Sequence, residues 1–467
     1  MPKISLHWFR RDLRITDNTA LHHAVKTSDQ VIPVYILSQW QKTHPWTGPG
    51  RQQFLCENLF ALAKNIEALG SRLVIRQGDA DEALEQLIRE TKAEAIYTNR
   101  DPDPFGLAME TRIAVVCSKM GVEFHPHKDA VLHEAGEVLT GEGKPYRVYT
   151  PYSRNWLALP KTTPWPKVQS FGKAHQVKSL PLPTIDHWGL SPCTVQLPEA
   201  GERAARTRMK RFIEDRVLQR YGQDRNTPFG QTTSGLSPYL RYGLIGIREL
   251  YQLCQQASSG ADATASASIQ IYLKELAWRE FYMAILHHYP KVLETEFNAD
   301  FRRVPWEGTE EAFEAWKQGR TGFPIVDAGM RQLLATGWMH NRVRMIVSMF
   351  LTKDLHVHWR LGESFFMQHL VDGEIASNNG GWQWSAGTGA DAAPYFRIQN
   401  PWTQTTRYDP KGDYIRQWIP ELANVPAGAL QSPATTPLHP DYPMPIVDHS
   451  VERDKTLKRF KQARQRE

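Results

Sequence analysis

DGEIASNNGGWQWSAGTG, the stretch from Asp372 to Gly389, places two carboxylates, adjacent asparagines, a glycine pair and two tryptophans within eighteen residues. A glycine inside a helix costs about 1 kcal/mol relative to alanine. Gly380 and Gly381 therefore predict that something flat approaches the backbone closely. Trp382 and Trp384 offer aromatic faces beside it. The alternative is a helix that packs in the core and is followed by a turn.

The length and composition bound the class of protein. A chain of 467 residues is too long for one hydrophobic core and predicts at least two domains. The sequence contains no run of 18 apolar residues, and its N-terminus soon becomes charged. We therefore expect neither a membrane span nor a signal peptide. The expected protein is cytoplasmic.

The cysteines and the charge narrow the class further. The four cysteines lie far apart and show no metal-ligand spacing, so we expect no zinc site, no other metal and no disulfide framework. They are Cys56, Cys117, Cys193 and Cys254. The formal net charge of +6 allows a polyanionic partner. Fifteen tryptophans fit either a large core or a site that stacks on a cofactor or on bases.

The N-terminal part of the chain alternates between two hydrophobic patterns. The runs typical of strands are ISLHWF, QVIPVYIL, SRLVIR, AEAIYTN and VEFHPH. Helical spacing appears in RQQFLCENLFALAKNIEALG and DADEALEQLIRETK. This alternation predicts an α/β domain over residues 1–130, with a Rossmann-like parallel sheet. The domain has no GxGxxG or Walker loop, which argues against an NAD or ATP site of the familiar types.

The rest of the chain divides into a connector and a helical domain. Residues 131–199 are rich in Pro, Gly, Thr and Ser and predict an irregular interdomain connector. From residue 200 to residue 467 the pattern is almost entirely helical. We therefore expect an all-α domain over this range.

One motif of the helical part suits a phosphate. TTSGLSPYLRYG begins at Thr232 and sets hydroxyl groups and Gly235 ahead of a helix with Pro238 near its start. Such a segment can direct backbone N–H groups and hydroxyls at a phosphate. An ordinary Ser/Thr helix cap is the alternative, and for this motif alone it is the better one.

Two further motifs place unusual groups on single helix faces. In ELAWREF, Glu275, Trp278 and Arg279 lie three and four residues apart and share one face. That combination is a poor core stripe but a good polar and aromatic wall. In TGWMHNRVRMIV, Asn341 and Met345 lie one turn apart. There the alternative is a solvated arginine face with the methionine in the core.

These motifs resemble those of class I cyclobutane pyrimidine dimer photolyases, in the photolyase and cryptochrome family, over essentially the whole chain. HWFRRDLRITDN at residues 7–18 is similar to the opening strand and loop of that family. YGQDRN, TSGLSP, ELAWREF, GWMHNRVRMI, HVHWRLGE, FFMQHLVDG and NNGGWQW follow in the family's order. The resemblance implies an α/β domain that holds an antenna pigment and a helical domain that holds FAD.

The resemblance implies a specific FAD site. Its residues would be Tyr221, Thr233, Ser234, Gly235, Leu236, Ser237, Tyr272, Arg344, Asp372, Glu374 and Asn378. Arg344 and Asp372 would form a charge-assisted pair beside the flavin ring. Asn378 would face flavin N5, where plant cryptochromes carry an Asp that can become charged. Tyr272 and Glu374 depart from the family, which often has Trp and usually has Asp at these positions.

The resemblance also implies UV-damaged DNA as the partner and a flipped-out dimer as the substrate. A protein of this kind would be a monomer and would associate with the nucleoid on damaged DNA. The DNA-binding residues would be Arg225, Glu275, Trp278, Arg279, Asn341, Arg342, Trp384, Arg397 and Gln404. Catalysis would involve Glu275, Asn341, Met345 and Asn378. Light-excited, reduced FAD would give an electron to the lesion, and Glu275 would bond a thymine edge. The chain lacks the histidine pair of (6–4) photolyases, which favours cyclobutane dimers.

Three tryptophans match the family's electron-transfer chain. Trp382, Trp359 and Trp306 would lead from the flavin to the surface, although a packed core position is the commoner fate of any single tryptophan. A signalling cryptochrome without repair is the second hypothesis. It would carry Asp or Cys at residue 378 and would lack Glu275 and Met345. A helical nucleic-acid-binding protein without flavin would not explain the motifs together.

The antenna pigment is the least determined part of the site. Arg10, Arg11, Arg51, Asp101 and Asp103 follow the predicted strands, where open α/β sheets bind ligands, and resemble an 8-hydroxy-5-deazaflavin pocket. The Asn-Glu pair used for 5,10-methenyltetrahydrofolate is Met109-Glu110 here, so the deazaflavin is favoured and Glu110 keeps the folate open. FMN and an empty pocket are minor alternatives. In the alternative without a pigment site, these Arg and Asp side chains are exposed and only pair with each other.

Overall fold

The structure is a computed structural model that describes residues 3–465. Its first part contains a sheet of strands β1 Ile4–Phe9, β2 Gln30–Leu37, β3 Val74–Gln77, β4 Ala95–Asn99 and β5 Glu123–His127. All pairs are parallel, in the order β3-β2-β1-β4-β5. The helices of this part are α1 Thr19–Thr27, α2 Gln39–Thr43, α3 Pro49–Glu67, α4 Ala80–Thr91 and α5 Pro104–Met120. The predicted Rossmann-like α/β domain is confirmed.

The apolar runs of the central strands follow from packing on both sheet faces. Along β2, Val31 and Tyr35 enter one core, whereas Ile32 and Val34 enter the core on the opposite face. Successive side chains of a strand point to opposite faces, so a strand covered on both sides reads as a continuous hydrophobic run. The strand order reverses at β1, which places the ends of β1 and β4 at the crevice where ligands bind in such sheets.

The rest of the structure is helical, as predicted. One helix, α6 Tyr149–Ala158, lies within residues 131–199, so the predicted connector is not irregular throughout. The following helices are α7 Glu202–Glu214, α8 Val217–Asp224, α9 Ser237–Arg241, α10 Ile247–Ser259, α11 Ala263–His288, α12 Glu310–Lys317, α13 Pro324–Thr336, α14 Asn341–Met349, α15 Trp359–His369, α16 Ile375–Ala386, α17 Pro401–Tyr408, α18 Asp413–Trp418 and α19 His449–Gln465. A π-helical turn occupies Phe350–Asp354, and short 3-10 turns occupy Ile185–Trp188, Pro290–Leu293, Ala299–Phe301, Pro420–Leu422 and Ala429–Gln431.

The helical pattern over residues 199–221 breaks into two helices. Arg216, between α7 and α8, has φ of 59° and lies in the left-handed region. Continuing α7 would carry Arg216 toward the face that buries Met209 and Phe212. The break instead brings Leu218 and Tyr221 into the core.

The two parts of the chain are joined by buried ion pairs. Asp129, which follows β5, accepts from Arg14 at 2.7 Å and from Arg248 of α10 at 2.6 Å. Asp17 accepts from the Arg248 Nε at 2.8 Å. All four side chains are at most 4% exposed. Because the four charges compensate one another, the loop after β1 is fixed against the helical part.

A second buried carboxylate fastens the connector. Glu280 of α11 is 2% exposed and accepts from the backbone N–H groups of Leu132 and His133. It also accepts from the Trp156 indole at 2.6 Å. The connector is therefore held against α11 by hydrogen bonds to a single side chain.

Three further features of residues 3–465 concern the membrane, metals and thiols. No helix in this range is both long and apolar enough to cross a membrane. Nor does the range contain three or more His, Cys, Asp or Glu side chains grouped so that they could bind a metal ion. The four cysteines are free.

Replacing Asp129 should destabilise the contact between the sheet domain and the helical part. Burial alone would raise the pKa of Asp129, but Arg14 and Arg248 outweigh burial and hold this pKa at about 2. Asp129→Asn should lower the free energy of unfolding by about 3–5 kcal/mol at pH 7, since it leaves buried guanidinium groups uncompensated. The measurement is urea unfolding followed by tryptophan fluorescence.

The pH dependence of unfolding gives the sign of this effect. An unfolded Asp titrates near pH 4 and the folded group near pH 2. The stabilisation is therefore complete above about pH 4 and is lost as the pH falls toward 2, where wild type and variant should converge. Glu142→Gln in the exposed Glu142–Lys144 pair is the control and should change stability by less than about 1 kcal/mol. An Asp129→Asn protein as stable as wild type at pH 7 would contradict the account.

Candidate functional site

A cavity of about 590 Å³ lies in the helical part. All eleven residues predicted for the FAD site line it: Tyr221, Thr233, Ser234, Gly235, Leu236, Ser237, Tyr272, Arg344, Asp372, Glu374 and Asn378. The same cavity is lined by Arg225, Glu275, Trp278, Arg279, Asn341, Arg342, Met345, Trp382 and Trp384. The sequence pattern therefore selects side chains that are distant in the chain and share one cavity.

A second cavity of about 550 Å³ adjoins the first. Arg342, Met345 and Trp384 line both cavities. Arg397 and Gln404, which the sequence assigns to the DNA backbone, line the second cavity. The two cavities therefore form one continuous concave surface.

Helix α14 carries its residues to the cavity by means of a histidine cap. His340 is buried, and its Nδ1 accepts from the Arg342 N–H at 3.1 Å. Burial, together with Arg344 and Arg342, lowers the pKa of His340 to about 4. The imidazole is therefore neutral at pH 7 and free to accept this bond. Asn341, the first residue of α14, is exposed at the cavity.

Glu374 begins helix α16. Its carboxylate accepts from the Ser377 N–H at 2.8 Å and lies 3.7 Å from the Arg11 guanidinium. Burial alone would raise the pKa of Glu374, but Arg11 and the Ser377 N–H outweigh burial and lower it. The residue that departs from the family pattern is thus an ionised helix cap on the cavity wall.

Arg344 and Asp372 form the predicted ion pair. The Arg344 Nη2 donates to Asp372 Oδ2 at 2.8 Å, and the Arg344 Nε donates to the Met339 carbonyl at 2.7 Å. Asp372 is 6% exposed, and its Oδ1 has no hydrogen-bond partner within residues 3–465. A carboxylate oxygen with unused acceptor capacity therefore borders the cavity.

Asn378 is oriented by helix α15. Its Nδ2 donates to the Glu363 carbonyl at 3.0 Å, which leaves the amide oxygen for the cavity. The Glu363 side chain accepts from Asn379 at 2.8 Å, and burial raises the pKa of Glu363 to about 7. Much of this carboxyl is therefore protonated at neutral pH, so little negative charge lies behind Asn378.

Two of the three tryptophans, Trp382 and Trp359, are buried, whereas the third, Trp306, is partly exposed. Trp382 lines the cavity and packs against Gly362 of α15, where a Cβ would meet its ring at 2.1 Å. Trp359, at the start of α15, is completely buried. Trp306 is partly exposed and lies 5.3 Å from the His358 ring, which lies 5.8 Å from the Trp359 ring. The rings of Trp359, His358 and Trp306 therefore form an aromatic path from a buried indole to a partly exposed one.

Glu275 lies at the cavity with a cation beside it. It forms an ion pair with Arg225 that is about one-third exposed. Burial raises the pKa of Glu275, and Arg225 offsets this only in part. The carboxyl therefore takes up a proton more readily than a surface glutamate and can donate a hydrogen bond to a carbonyl oxygen.

Arg279 lies on the shared face but is directed inward. Its guanidinium donates to the Ala130 carbonyl at 2.8 Å and interacts with Glu374. Glu374 is 7% exposed. The sequence assigns Arg279 to DNA, whereas its contacts place it on the inner wall of the cavity beside Glu374.

Gly380 and Gly381, in the segment Asp372–Gly389, lie in different surroundings, so a glycine is present at each for a different reason. An added Cβ at Gly380 would meet the Tyr282 ring at 2.1 Å, so this glycine permits α11 and α16 to pack closely. For Gly380 the predicted close approach of something flat is confirmed, and the flat group is a protein side chain, the Tyr282 ring. A Cβ at Gly381 would meet nothing within 4 Å, although Gly381 lines the cavity. Gly381 therefore leaves room for a ligand.

The residues predicted for the antenna pair with one another. Arg10 bonds Glu110 at 2.6 Å, and Arg11 bonds Asp101 at 2.8 Å and lies 3.8 Å from Asp103. Arg51 donates to the Gly373 carbonyl at 3.3 Å. These contacts match the pairing of the alternative but not its exposure, because the side chains of Arg10, Arg11, Asp101, Asp103 and Glu110 are only 9–13% exposed. The contacts of Arg11 and Arg51 place both side chains against the helical part. The antenna assignment stays a prediction.

Three residues at the cavities were not found from the sequence. Tyr149 of α6 stacks on Trp278 with centroids 3.6 Å apart and planes 9° apart. Asn226 accepts from Arg342 at 2.7 Å, and Tyr408 lies 4.6 Å under the Arg342 guanidinium. YGQDRN does include Asn226, but nothing in the spacing links Tyr149 or Tyr408 to the site.

The cavity fits FAD, the group that the resemblance implies. Asp372 Oδ1, Glu374 Oε1 and Trp382 Nε1 are buried polar atoms without a hydrogen-bond partner among the described residues. All three residues line this cavity, as do the hydroxyl-rich segment before α9 and the open space at Gly381. Buried polar atoms are rarely left unpaired, so the cavity suits a ligand with both polar edges and a flat ring.

Comparison with known proteins also indicates an FAD site. A model described as the FAD binding domain of DNA photolyase matches residues 272–462, and one described as DNA photolyase matches residues 5–169. A deoxyribodipyrimidine photo-lyase from Synechococcus sp. is 41% identical over 456 residues, covering 96% of this chain and 94% of the relative.

Solved structures of photolyases have the same fold as this chain. A class III photolyase from Agrobacterium tumefaciens superposes with a TM-score of 0.92 at 36% identity, covering 100% of this chain and 98% of that chain. A photolyase from Sulfolobus tokodaii with two FAD molecules gives a TM-score of 0.85 at 32% identity, covering 98% and 100%. Because one neighbour is a class III enzyme, the class I subdivision remains a prediction. The chain belongs to the photolyase and cryptochrome family.

Proposed function

We propose that the protein repairs cyclobutane pyrimidine dimers in UV-damaged DNA, in a light-driven reaction with reduced FAD as the electron donor. One observation carries the proposal: a single cavity joins the wall of Arg344, Asp372 and Asn378 to the side chains of Glu275 and Met345. A flavin and a flipped-out pyrimidine dimer bound in this cavity would therefore lie against each other. Relatives named deoxyribodipyrimidine photo-lyase support the reaction class.

The residues of the inner wall would hold the cofactor. When bound, FAD supplies the light absorption and the transferable electron. The segment before α9 suits the phosphates, because Ser234, Gly235 and Ser237 border the cavity there. Arg344 and Asp372 would fix the ring by a charge-assisted pair, and the Asn378 oxygen would accept from N5 without becoming charged. We place Arg279 with this group.

The residues of the outer wall would hold the lesion. Trp278 and Trp384 would stack on the dimer, and Asn341 would bond one base. Glu275 would donate to a carbonyl oxygen of the other base, where negative charge develops after electron transfer. A dimer distorts stacking already, so extruding it costs less than flipping a sound base.

The second cavity would hold the DNA backbone beside the lesion. Arg342, Arg397 and Arg407 line it together with Gln404 and Tyr408. Cations on phosphates position DNA and make binding salt-dependent without reading sequence. This arrangement fits a protein that must act on damage in any sequence.

A signalling role without repair is the second candidate. It predicts Asp or Cys in place of Asn378 and the loss of Glu275 and Met345. The chain has the amide, and both other side chains line the cavity. Repair is therefore the better supported function.

An antenna pigment would absorb light for the flavin. We propose 8-hydroxy-5-deazaflavin in preference to 5,10-methenyltetrahydrofolate at the ends of β1 and β4. The paired arginines and carboxylates there would have to reorganise or bind the pigment at their edges. The Sulfolobus relative is described as implicating FAD as a light-harvesting cofactor, which adds a flavin to the candidates.

Glu275 should be required for repair but not for FAD. Glu275→Ala removes the carboxyl group and with it the hydrogen bond to the base. Repair of dimer DNA by the pre-reduced protein should fall about 10-fold or more, because a hydrogen bond to a charged group contributes about 1.5–3 kcal/mol. The measurement is chromatography of the illuminated oligonucleotide. Glu249→Ala, in an ion pair with Arg206 away from the cavities, is the control. Equal repair by wild type and Glu275→Ala would remove Glu275 from the mechanism.

Trp306 should be required for photoreduction but not for repair. Trp306→Phe should block light-driven reduction of oxidised FAD by an external reductant, because phenylalanine is far harder to oxidise than tryptophan. Repair by the pre-reduced variant should stay at the wild-type level. Trp165→Phe is the matched control, since Trp165 is partly exposed but stacks on His22 in the α/β part. Photoreduction of Trp306→Phe at the wild-type rate would show that another path operates.

The antenna should be separable from repair. Reconstitution with the deazaflavin should add its absorption band, and Arg51→Ala combined with Asp101→Ala should abolish the uptake. Arg89→Ala combined with Glu85→Ala, an exposed pair on α4, should not. Without the pigment, repair should persist and need more light. Tight folate binding with no deazaflavin uptake would overturn the assignment.

A further inference from the structure

The connector helix α6 contributes a side chain that packs behind the wall of the main cavity, against Trp278. Tyr149, the first residue of α6, lies parallel to the Trp278 indole at a centroid distance of 3.6 Å and an angle of 9°. The phenol is 8% exposed, and it covers one face of the indole. Since Trp278 lines the cavity, the opposite face is left for a ligand.

Tyr149 is held at both ends. Its hydroxyl donates to the Lys274 carbonyl of α11 at 2.6 Å, one residue before Glu275. Its backbone N–H donates to Asp391 Oδ2 at 3.3 Å, in the loop that follows α16. Burial raises the pKa of the Tyr149 phenol and Glu275 raises it further, so the hydroxyl remains a donor at neutral pH. The ring therefore has little freedom to rotate.

We infer that Tyr149 is a positioning residue for lesion recognition, holding the Trp278 indole flat before DNA arrives. This inference rests on the proposed function, because it concerns the face that a flipped pyrimidine dimer would stack on. An indole that is ordered in advance loses less conformational entropy on binding. The connector would thus contribute to affinity for the dimer without touching it.

The effect belongs to the dimer and not to DNA in general. Undamaged duplex meets the arginines of the second cavity but has no extruded base to place on Trp278. Loss of the Tyr149 ring should therefore weaken dimer binding selectively. Electron transfer to a dimer that is already bound should be affected little, because Tyr149 does not line either cavity.

The test is the dissociation constant of the FAD-loaded protein in the dark for a duplex with one thymine dimer and for its undamaged counterpart. Tyr149→Leu should raise the dimer constant about 2- to 10-fold, the range expected when one side chain must be ordered on binding. The constant for undamaged duplex should not change. Tyr149→Phe keeps the ring and should stay within about twofold of wild type. If the leucine variant does not fold, Tyr149→Met carries the same expectation.

Two comparisons separate positioning from loss of stability. Tyr152→Leu removes a fully buried ring from the same helix that packs on Phe281, and it should lower thermal stability while the preference for dimer DNA stays the same. In a Trp278→Ala background, Tyr149→Leu should add no further loss, because the two effects pass through one indole.

Failure of the proposed function and failure of the inference about Tyr149 give different results. Wild-type protein with no preference for dimer DNA would overturn the proposed function and this inference with it. A wild-type preference that Tyr149→Leu leaves intact would overturn the inference alone. So would an equal loss from Tyr149→Leu with and without Trp278.

Discussion

The architecture depends on one buried carboxylate, Asp129, between two guanidinium groups. Arg14 comes from the loop after β1 and Arg248 from α10, so the carboxylate joins the sheet domain to the helical part. A pair of buried arginines without this charge would be strongly destabilising. Because the arrangement tolerates little displacement, it fixes the loop after β1, and that loop also carries Arg11 to Glu374. The ion pairs between the domains therefore also help to position Arg11 beside Glu374 on the cavity wall.

Between the Asp129 ion pairs and the cavity, the buried charges are again paired with opposite charges. Arg11 meets Asp101 and Glu374, and Arg344 meets Asp372. At the cavity surface, however, carboxylate oxygens of Glu374 and Asp372 are left without hydrogen-bond partners among the described residues. Other buried polar atoms of the described residues also lack partners, but these oxygens border one cavity, where a bound ligand could pair with them. Outward from there the charge changes sign, since the second cavity is bordered by Arg342, Arg397 and Arg407. A polyanion would be attracted to the outer surface and a polar cofactor held within.

The sequence predicted the parts of this arrangement that depend on local pattern. The apolar run QVIPVYIL predicts a doubly covered strand, and the spacing of Glu275, Trp278 and Arg279 predicts a shared helix face. Both are observed. What the sequence could not supply are contacts between distant segments. The direction of Arg279 depends on the Ala130 carbonyl, and the tight space at Gly380 depends on Tyr282. Tyr149 lies on α6, which Trp156 joins to Glu280 of α11, and this contact between helices places its ring on Trp278. Such contacts are fixed by tertiary packing, which no spacing within one motif encodes.

The central claim is that one cavity brings a reduced flavin and a flipped-out pyrimidine dimer together so that light splits the dimer. The most direct measurement is single-flash illumination of the pre-reduced protein bound to an oligonucleotide with one thymine dimer, followed by chromatographic separation of dimer and restored thymines. The account predicts restored thymines in proportion to the light absorbed, none in darkness, and none from an oligonucleotide with a (6–4) lesion. Protein that binds the dimer tightly and leaves it intact after repeated flashes would contradict the account.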